Sequence, residues 1–234
     1  MKKLIWILSV LTLVITCIVL QFMPETVPTH FNLSGEVDGW GSKYTCLVMP
    51  GIMLANALFF QIVIGQHEKK AENAAHEKDR AEARTNAKVL KITGAATSVL
   101  FAVIQGVLLY MAFTGAETNA ARDPVGITRI TCILLGALYI VLANFMPKTR
   151  MNSNVGVRVK WSMYNDVTWM KTNRFGAAAL TAAGLLTAVT AIFANEKTCL
   201  VTMFAYLTAA LAAVLIYARR VYKEETAKDG KNAE

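Results

Sequence analysis

The run LIWILSVLTLVITCIVLQF, residues 4–22, holds nineteen residues without a single charge. Crossing bilayer hydrocarbon takes roughly 20 mostly apolar residues, so this stretch names the solvent of the chain. Five more runs of the same kind follow, at Tyr44 to Ile64, Ile92 to Phe113, Ile127 to Phe145, Gly176 to Asn195 and Leu200 to Ala218. Composition agrees: of 234 residues 55% are hydrophobic and 17% charged, whereas soluble domains carry about a quarter charged residues. In lipid, a chain that does not close into a barrel satisfies its backbone only as helix. The fold class expected is an all-α integral membrane protein, a bundle of six transmembrane helices. Lys2 and Lys3 precede the first run as in a signal peptide, but the apolar part is long and no small-x-small cleavage site follows, so the run is expected to stay as a helix.

The formal net charge is +8, and its distribution says more than its size. Of 24 Lys and Arg, 20 fall in four segments: Lys2 and Lys3, Lys69 to Lys91, Lys148 to Arg174, and Arg219 to Lys231. The alternate connections hold Lys43, Arg122 and Lys197. The positive-inside rule then predicts both termini in the cytoplasm and the connection after the first helix outside. The net positive charge faces membrane lipid in this reading, and no direct contact with nucleic acid is expected. The localisation expected is a cytoplasmic membrane crossed several times.

The connection GQHEKKAENAAHEKDRAEARTNAKVLK, residues 65–91, is rich in Ala, Glu, Lys and Arg and reads as solvated helical extensions of the second and third spans. His67-Glu68 and His76-Glu77 lack the second histidine of HExxH, which argues against zinc there. Cys17, Cys46, Cys132 and Cys199 show no metal or redox spacing; Cys46 and Cys199 read either as a disulfide pair near the outer helix ends or as small apolar residues. No Asp, Glu, Lys or His lies well inside a span, which lowers proton- or sodium-coupled transport and intramembrane aspartyl proteolysis. Arg129, near a span end, is expected to snorkel to the headgroups, or else to pair with Glu36, Asp38 or Glu117. Ala179, Ala183, Thr187 and Ala191, with Ala205, Ala209 and Ala213, recur every fourth residue and predict a tight hairpin of the last two helices. No strong internal repeat is evident.

Two loops carry the remaining information. VPTHFNLSGEVDGWGSK, residues 27–43, follows Pro24 and contains Pro28, which end the helix and hold the chain extended. Asp38-Gly39 reads as a turn, Gly35 and Gly41 as positions free to take positive φ, and Trp40 as a headgroup-zone residue. The expectation is an ordered extracytoplasmic loop with Pro28, His30, Gly35, Glu36, Asp38 and Trp40 as a candidate contact surface. His30, Glu36 and Asp38 are weak candidates for a divalent cation, or satisfy local backbone donors.

The second loop, MPKTRMNSNVGVRVKWSMYNDVTWMKTNRFG, residues 146–176, is basic and aromatic. Trp161, Tyr164 and Trp169 suit interfacial anchoring, and Ser162 is placed to cap a short helix lying along the membrane. Asn152-x-x-x-Gly156-x-Arg158-x-x-Trp161-Ser162, then Trp169, then Thr172-Asn173-x-x-Gly176 resembles the signature of SdpI-like membrane proteins, roughly Asn-x-x-x-Gly-x-Arg-(Thr-Pro)-Trp-Thr with a later tryptophan and a glycine opening the next span. Val159-Lys160 stands where Thr-Pro is usual, and Ser162 replaces Thr. Separately, Pro28-x-His30-x-x-x-x-Gly35-x-x-Asp38-x-Trp40 is similar to the N-terminal domain of unknown function that commonly precedes that region.

The resemblance implies a bacterial membrane immunity or signalling protein, since the family's named member protects against a secreted toxic peptide and holds a transcriptional repressor at the membrane. Asn152, Gly156, Arg158, Trp161 and Trp169 are the candidate inner-loop residues, binding or structural, with Arg158 placed to pair with Asp166 or a lipid phosphate. The organisation expected is a two-helix region over 1–65, a charged cytoplasmic connection over 66–91, the SdpI-like region over 92–218 and a cytoplasmic tail over 219–234. Alternatives are a transporter of small molecules, peptides or lipids, and a membrane enzyme using the outer His, Glu and Asp; a non-enzymatic protein without a cofactor is preferred.

Overall fold

The computed structural model describes residues 1–32, 37–118, 126–151 and 156–232, with the backbone alone at 31, 115–118, 127 and 231–232. Its helices are α1 (Lys2–Leu20), α2 (Val48–Asn73), α3 (Glu77–Thr118), α4 (Ile127–Phe145), α5 (Asp166–Phe193) and α6 (Glu196–Asn232). All six contain a window long and apolar enough to cross a membrane. At 1.5 Å per residue α3 is roughly 60 Å long, about twice the hydrocarbon thickness, so it projects well beyond the bilayer. Exposed Ile, Leu, Val and Phe ring the helices, as in Ile7, Leu11, Ile18, Phe59, Ile62, Leu185, Phe204 and Leu215, and these side chains meet lipid.

The helices form two groups, α1–α3 and α4–α6, that meet along α3 and α4. In the first, Ile5, Ala57, Phe60, Ile64 and Leu90 make a buried cluster. Gly94 opens the space for it, because a Cβ there would lie 2.7 Å from Ile5 Cδ1 and 2.8 Å from Phe60 Cγ. Ser9 Oγ donates to Met53 O across α1 and α2 at 3.1 Å. At their far ends Glu68 of α2 binds Lys2 of α1 and, at 2.7 Å, Lys91 of α3, tying the three helices together beyond the apolar windows.

In the second group a close backbone approach joins α4 to α5. A Cβ on Gly136 would stand 2.6 Å from Gly184 O, and one on Gly184 2.5 Å from Gly136 O. Ala183, Thr187 and Ala191 of the predicted small-residue stripe are buried. The α6 half of that prediction needs correction: Ala205 and Ala209 are exposed, and α6 packs instead through Cys199, Met203 and Val214. All four cysteines are free, so Cys46 and Cys199 are not paired.

Between α1 and α2 the chain folds into an antiparallel hairpin, β1 (Thr26–Phe31) and β2 (Val37–Ser42), followed by a 3-10 turn over Lys43–Leu47. Pairing runs Thr26 with Ser42, Val27 with Gly41, Pro28 with Trp40, His30 with Gly39 and Phe31 with Val37, and the register breaks around Thr29. Its base is closed by Lys43, whose N–H reaches Glu25 O at 3.0 Å and whose Nζ reaches Glu25 Oε1 at 3.0 Å. Val27 is fully buried with Leu20, Met23, Leu109 and Ala112, which docks the hairpin on the ends of α1 and α3.

This loop was expected to be ordered, with its chain held extended, and two local expectations change. Asp38-Gly39 lies inside β2, so it is not the turn. Gly41 has no positive φ and is required for space: its Cβ would fall 2.9 Å from Thr29 Cγ2, as that of Gly39 would fall 2.8 Å from His30 Cβ.

Candidate functional site

Both loops singled out in the sequence become folded sites at opposite ends of the bundle. At the hairpin end Pro28 is buried, while His30 and Trp40 are exposed. His30 Nδ1 meets the Asp38 carboxylate across the two strands. Gly35 and Glu36 lie outside the described residues. Among the described residues no three His, Cys, Asp or Glu side chains gather as metal ligands.

Beneath the hairpin, where α2 and α3 face α4 and α6, lies a cavity of about 610 Å³. Pro28, Thr29 and His30 roof it, and Met49, Leu108, Met111 and Met203 are among its walls. Gln105 of α3 reaches it from the buried side. Its Nε2 donates to Thr16 Oγ1 at 3.1 Å and to Cys46 O at 3.0 Å, joining α1, α3 and the 3-10 turn. Gln105 is one of the few polar residues within the apolar run Ile92 to Phe113.

At the opposite end the loop before α5 is built around Asn173, which is fully buried. Asn173 Oδ1 accepts the Val157 N–H at 2.8 Å and Asn173 Nδ2 donates to Trp169 O at 3.0 Å. Gly156 takes φ +114°, a region that favours glycine, and lies so near that a Cβ would sit 2.6 Å from Asn173 Oδ1 and 2.9 Å from the Trp169 ring. Trp169 is 2% exposed and donates from Nε1 to Thr149 O at 3.0 Å. Gly176 gives Met146 and Val157 room one turn further on. Glycine, asparagine and tryptophan thus form a single clamp that folds the loop back on the first turns of α5.

Several expectations for this loop are revised. Trp169 is a buried pin and not an interfacial anchor, because its indole N–H finds a carbonyl inside the fold. Ser162 is not a helix cap: its Oγ accepts the Val159 N–H at 3.1 Å and donates to Val157 O within the loop. The cap is Asn165, in a capping box with Thr168, and the helix it opens runs straight on into the span as α5. Trp161 is half-buried under Lys160 and Arg219, 5.9 and 5.8 Å from its ring. Arg158 is exposed, Asp166 stands 3.9 Å from Lys78, and Asn152 lies outside the described residues.

Two contributors escaped the sequence reading. Asn86 of α3 is buried and accepts the Arg150 N–H at 3.2 Å, anchoring the loop on the other helical group. Glu225 of α6 receives Lys171 and Lys228, each at 3.0 Å. Nearby Tyr164 donates to Asp229 Oδ2 at 2.8 Å, and that carboxylate holds its phenol above the ordinary range. One of the two Asn in an Ala-rich charged segment was the only signal for the first. Arg129 also acquires a definite role: Nε and Nη2 donate to Ala191 O at 3.0 Å and Ile192 O at 2.7 Å, filling carbonyls that the end of α5 leaves open.

Comparison with known proteins follows the same two sites. Residues 7–54, which contain the hairpin, match a domain of unknown function (DUF1648), and residues 148–218, which contain the clamp, match the SdpI/YfhL protein family. Over 215 residues the chain is 23% identical to the immunity protein SdpI of Bacillus subtilis (strain 168), covering 92% of this chain and 93% of that protein. No solved structure matches. The chain is therefore an SdpI-like integral protein of the bacterial cytoplasmic membrane, crossing it several times, with its SdpI/YfhL region preceded by the domain of unknown function.

Proposed function

We propose that the protein is a non-enzymatic immunity receptor that protects its membrane against a secreted antimicrobial peptide. The observation that carries this reading is the docked hairpin, which presents His30 and Trp40 at the end of the bundle opposite the four basic segments. The positive-inside rule puts that end outside, where a secreted peptide arrives. The end-to-end relationship to an immunity protein supports the same assignment. His30, Asp38 and Trp40, with Gly35 and Glu36 as further candidates, are the contact residues in this reading, and Pro28 is buried behind them.

Signalling to a transcriptional repressor is the cytoplasmic half of the proposal. Helix α3 joins the two ends: Gln105 and Leu109 lie under the hairpin, and Asn86 holds the clamp loop. A peptide that binds one packing of the helices better than another would shift the basic surface around Arg158, Trp161 and Arg219; differential affinity is the only source of such a shift. Gly156 and Trp169 keep that surface folded, and Asn152 is a further candidate residue of the same loop.

The test is survival of a peptide-sensitive bacterium carrying the protein, its deletion, or the double variant His30→Ala and Trp40→Ala. The expected result is protection by the unaltered protein and its loss in the double variant at equal membrane abundance. Sensitivity that is the same with the protein and without it refutes the immunity reading.

A further inference from the structure

Beside the clamp, where α4 ends and α5 begins, lies a second cavity of about 340 Å³. Its floor is part of the clamp: Trp169 and Thr149 are buried, and the indole N–H that Trp169 gives to Thr149 O holds the two together. Three cations, Lys148, Arg150 and Arg174, line the cavity, and all three are exposed to solvent. Lys148 Nζ is steadied by Asn144 Oδ1 at 3.4 Å and by the ring of Phe145, 5.0 Å away, which leaves further N–H donors for a ligand. Among the described residues no carboxylate pairs with Lys148 or Arg174. Asp166, the one carboxylate in the described lining, stands 3.9 Å from Lys78, so its charge is offset from outside and the cavity keeps a positive excess.

Depth decides which anion arrives. Lys148 lies three residues beyond the apolar run that ends at Phe145, and Arg174 two residues before the run that begins at Gly176. At about 1.5–2.0 Å per residue both positions are within about 6 Å of the hydrocarbon, inside a headgroup layer roughly 5–7 Å thick. Guanidinium and ammonium groups bond phosphate oxygens directly, and basic pockets between helices at this level suit phospholipid headgroups. Val167 and Met170 add exposed apolar surface beside the cations, which an amphiphile can cover and a free ion cannot.

We propose that this cavity binds the headgroup of an anionic phospholipid, its phosphate oxygens held by Lys148 and Arg174 with Arg150 adding charge. A zwitterionic phospholipid brings a cation of its own into the same space and is disfavoured by the three already there. The site stands independently of the immunity reading, because it follows from the lining and its depth.

The experiment uses the full chain in nanodiscs of phosphatidylcholine alone, of phosphatidylcholine with a minority of phosphatidylglycerol, and of phosphatidylcholine alone with millimolar inorganic phosphate. Lysine acylation by a water-soluble succinimidyl ester is read residue by residue by mass spectrometry. Lys148 reports the cavity, while Lys69 and Lys70, exposed near the end of α2 and outside the lining, report surface potential. Phosphatidylglycerol is expected to slow acylation of Lys148 by about tenfold, with Lys69 and Lys70 changed by less than about twofold. Inorganic phosphate should protect none of them, and Arg174→Gln should bring the protection of Lys148 down to that of the two reference lysines. No slowing at Lys148, or equal slowing at all three lysines, overturns the proposal by leaving surface charging alone. Protection by inorganic phosphate as strong as by the lipid overturns it too, since the site is then one for a free anion. These outcomes are read on the unaltered protein, whether or not the variant folds. Full protection that survives Arg174→Gln overturns the proposal as well.

Discussion

Asn173 and Gly156 occupy each other's space: the side-chain oxygen of the first lies where a Cβ on the second would come within 2.6 Å. The same oxygen accepts the Val157 N–H, so the loop backbone, the glycine and the helix side chain act as one unit.

Replacing Asn173 by Ala should therefore cost about 1–3 kcal/mol, since it strands the part-buried Val157 N–H. Gly156→Ala should cost about 1–3 kcal/mol through backbone strain and the clash. Because both break one contact, the double variant should lose less than the sum. Thermal unfolding in detergent, followed by tryptophan fluorescence, checks this; strict additivity would show that the clamp is not one unit.

A second expectation concerns α4 and α5. Gly136→Ala puts a methyl group 2.6 Å from Gly184 O, so the helices must separate, at about 1–3 kcal/mol. Gly51 and Gly106 are also helical but have open space around their Cβ positions. Alanine there should be neutral or stabilising by up to about 1 kcal/mol. Parallel melting curves of the three variants decide it, and equal losses at all three positions would count against the close crossing.

Removing the guanidinium that caps α5 should open the α5–α6 turn locally. In Arg129→Met the carbonyls of Ala191 and Ile192 lose charged donors, a loss of about 1.5–3 kcal/mol. Cys199 is buried beside Ala191, so its alkylation by a thiol reagent should accelerate about tenfold or more if opening limits the reaction. An unchanged rate at Cys199 alongside an unchanged melting temperature would leave Arg129 without the capping role.

The six spans were legible because hydrocarbon imposes a length and a composition that few other environments impose. The two motif-bearing loops were legible as well, through glycine, proline and tryptophan spacing that matched two known regions. Partners across the fold were not legible. Asp38-Gly39 has the local chemistry of a turn, but pairing of Thr26–Phe31 with Val37–Ser42 outweighs it. Ser162 and Asn165 are both good caps, and the choice of Asn165 depends on Thr168 completing a reciprocal pair. Trp169 has the composition of an anchor, yet Thr149 O lies within reach of its indole and takes it inside.

By itself the sequence determined that this chain lives in lipid as six helices, which segments carry its charge, and where its two structured loops lie; these follow from the free energy of moving side chains and backbone between water and hydrocarbon. Only the tertiary structure decided which small residues meet, which tryptophan is buried, where Arg129 donates, and that Gln105 joins Thr16 and Cys46. Those outcomes rest on contacts a few ångströms long between residues far apart in the chain, where competing local preferences differ by little and the neighbour within reach settles the matter.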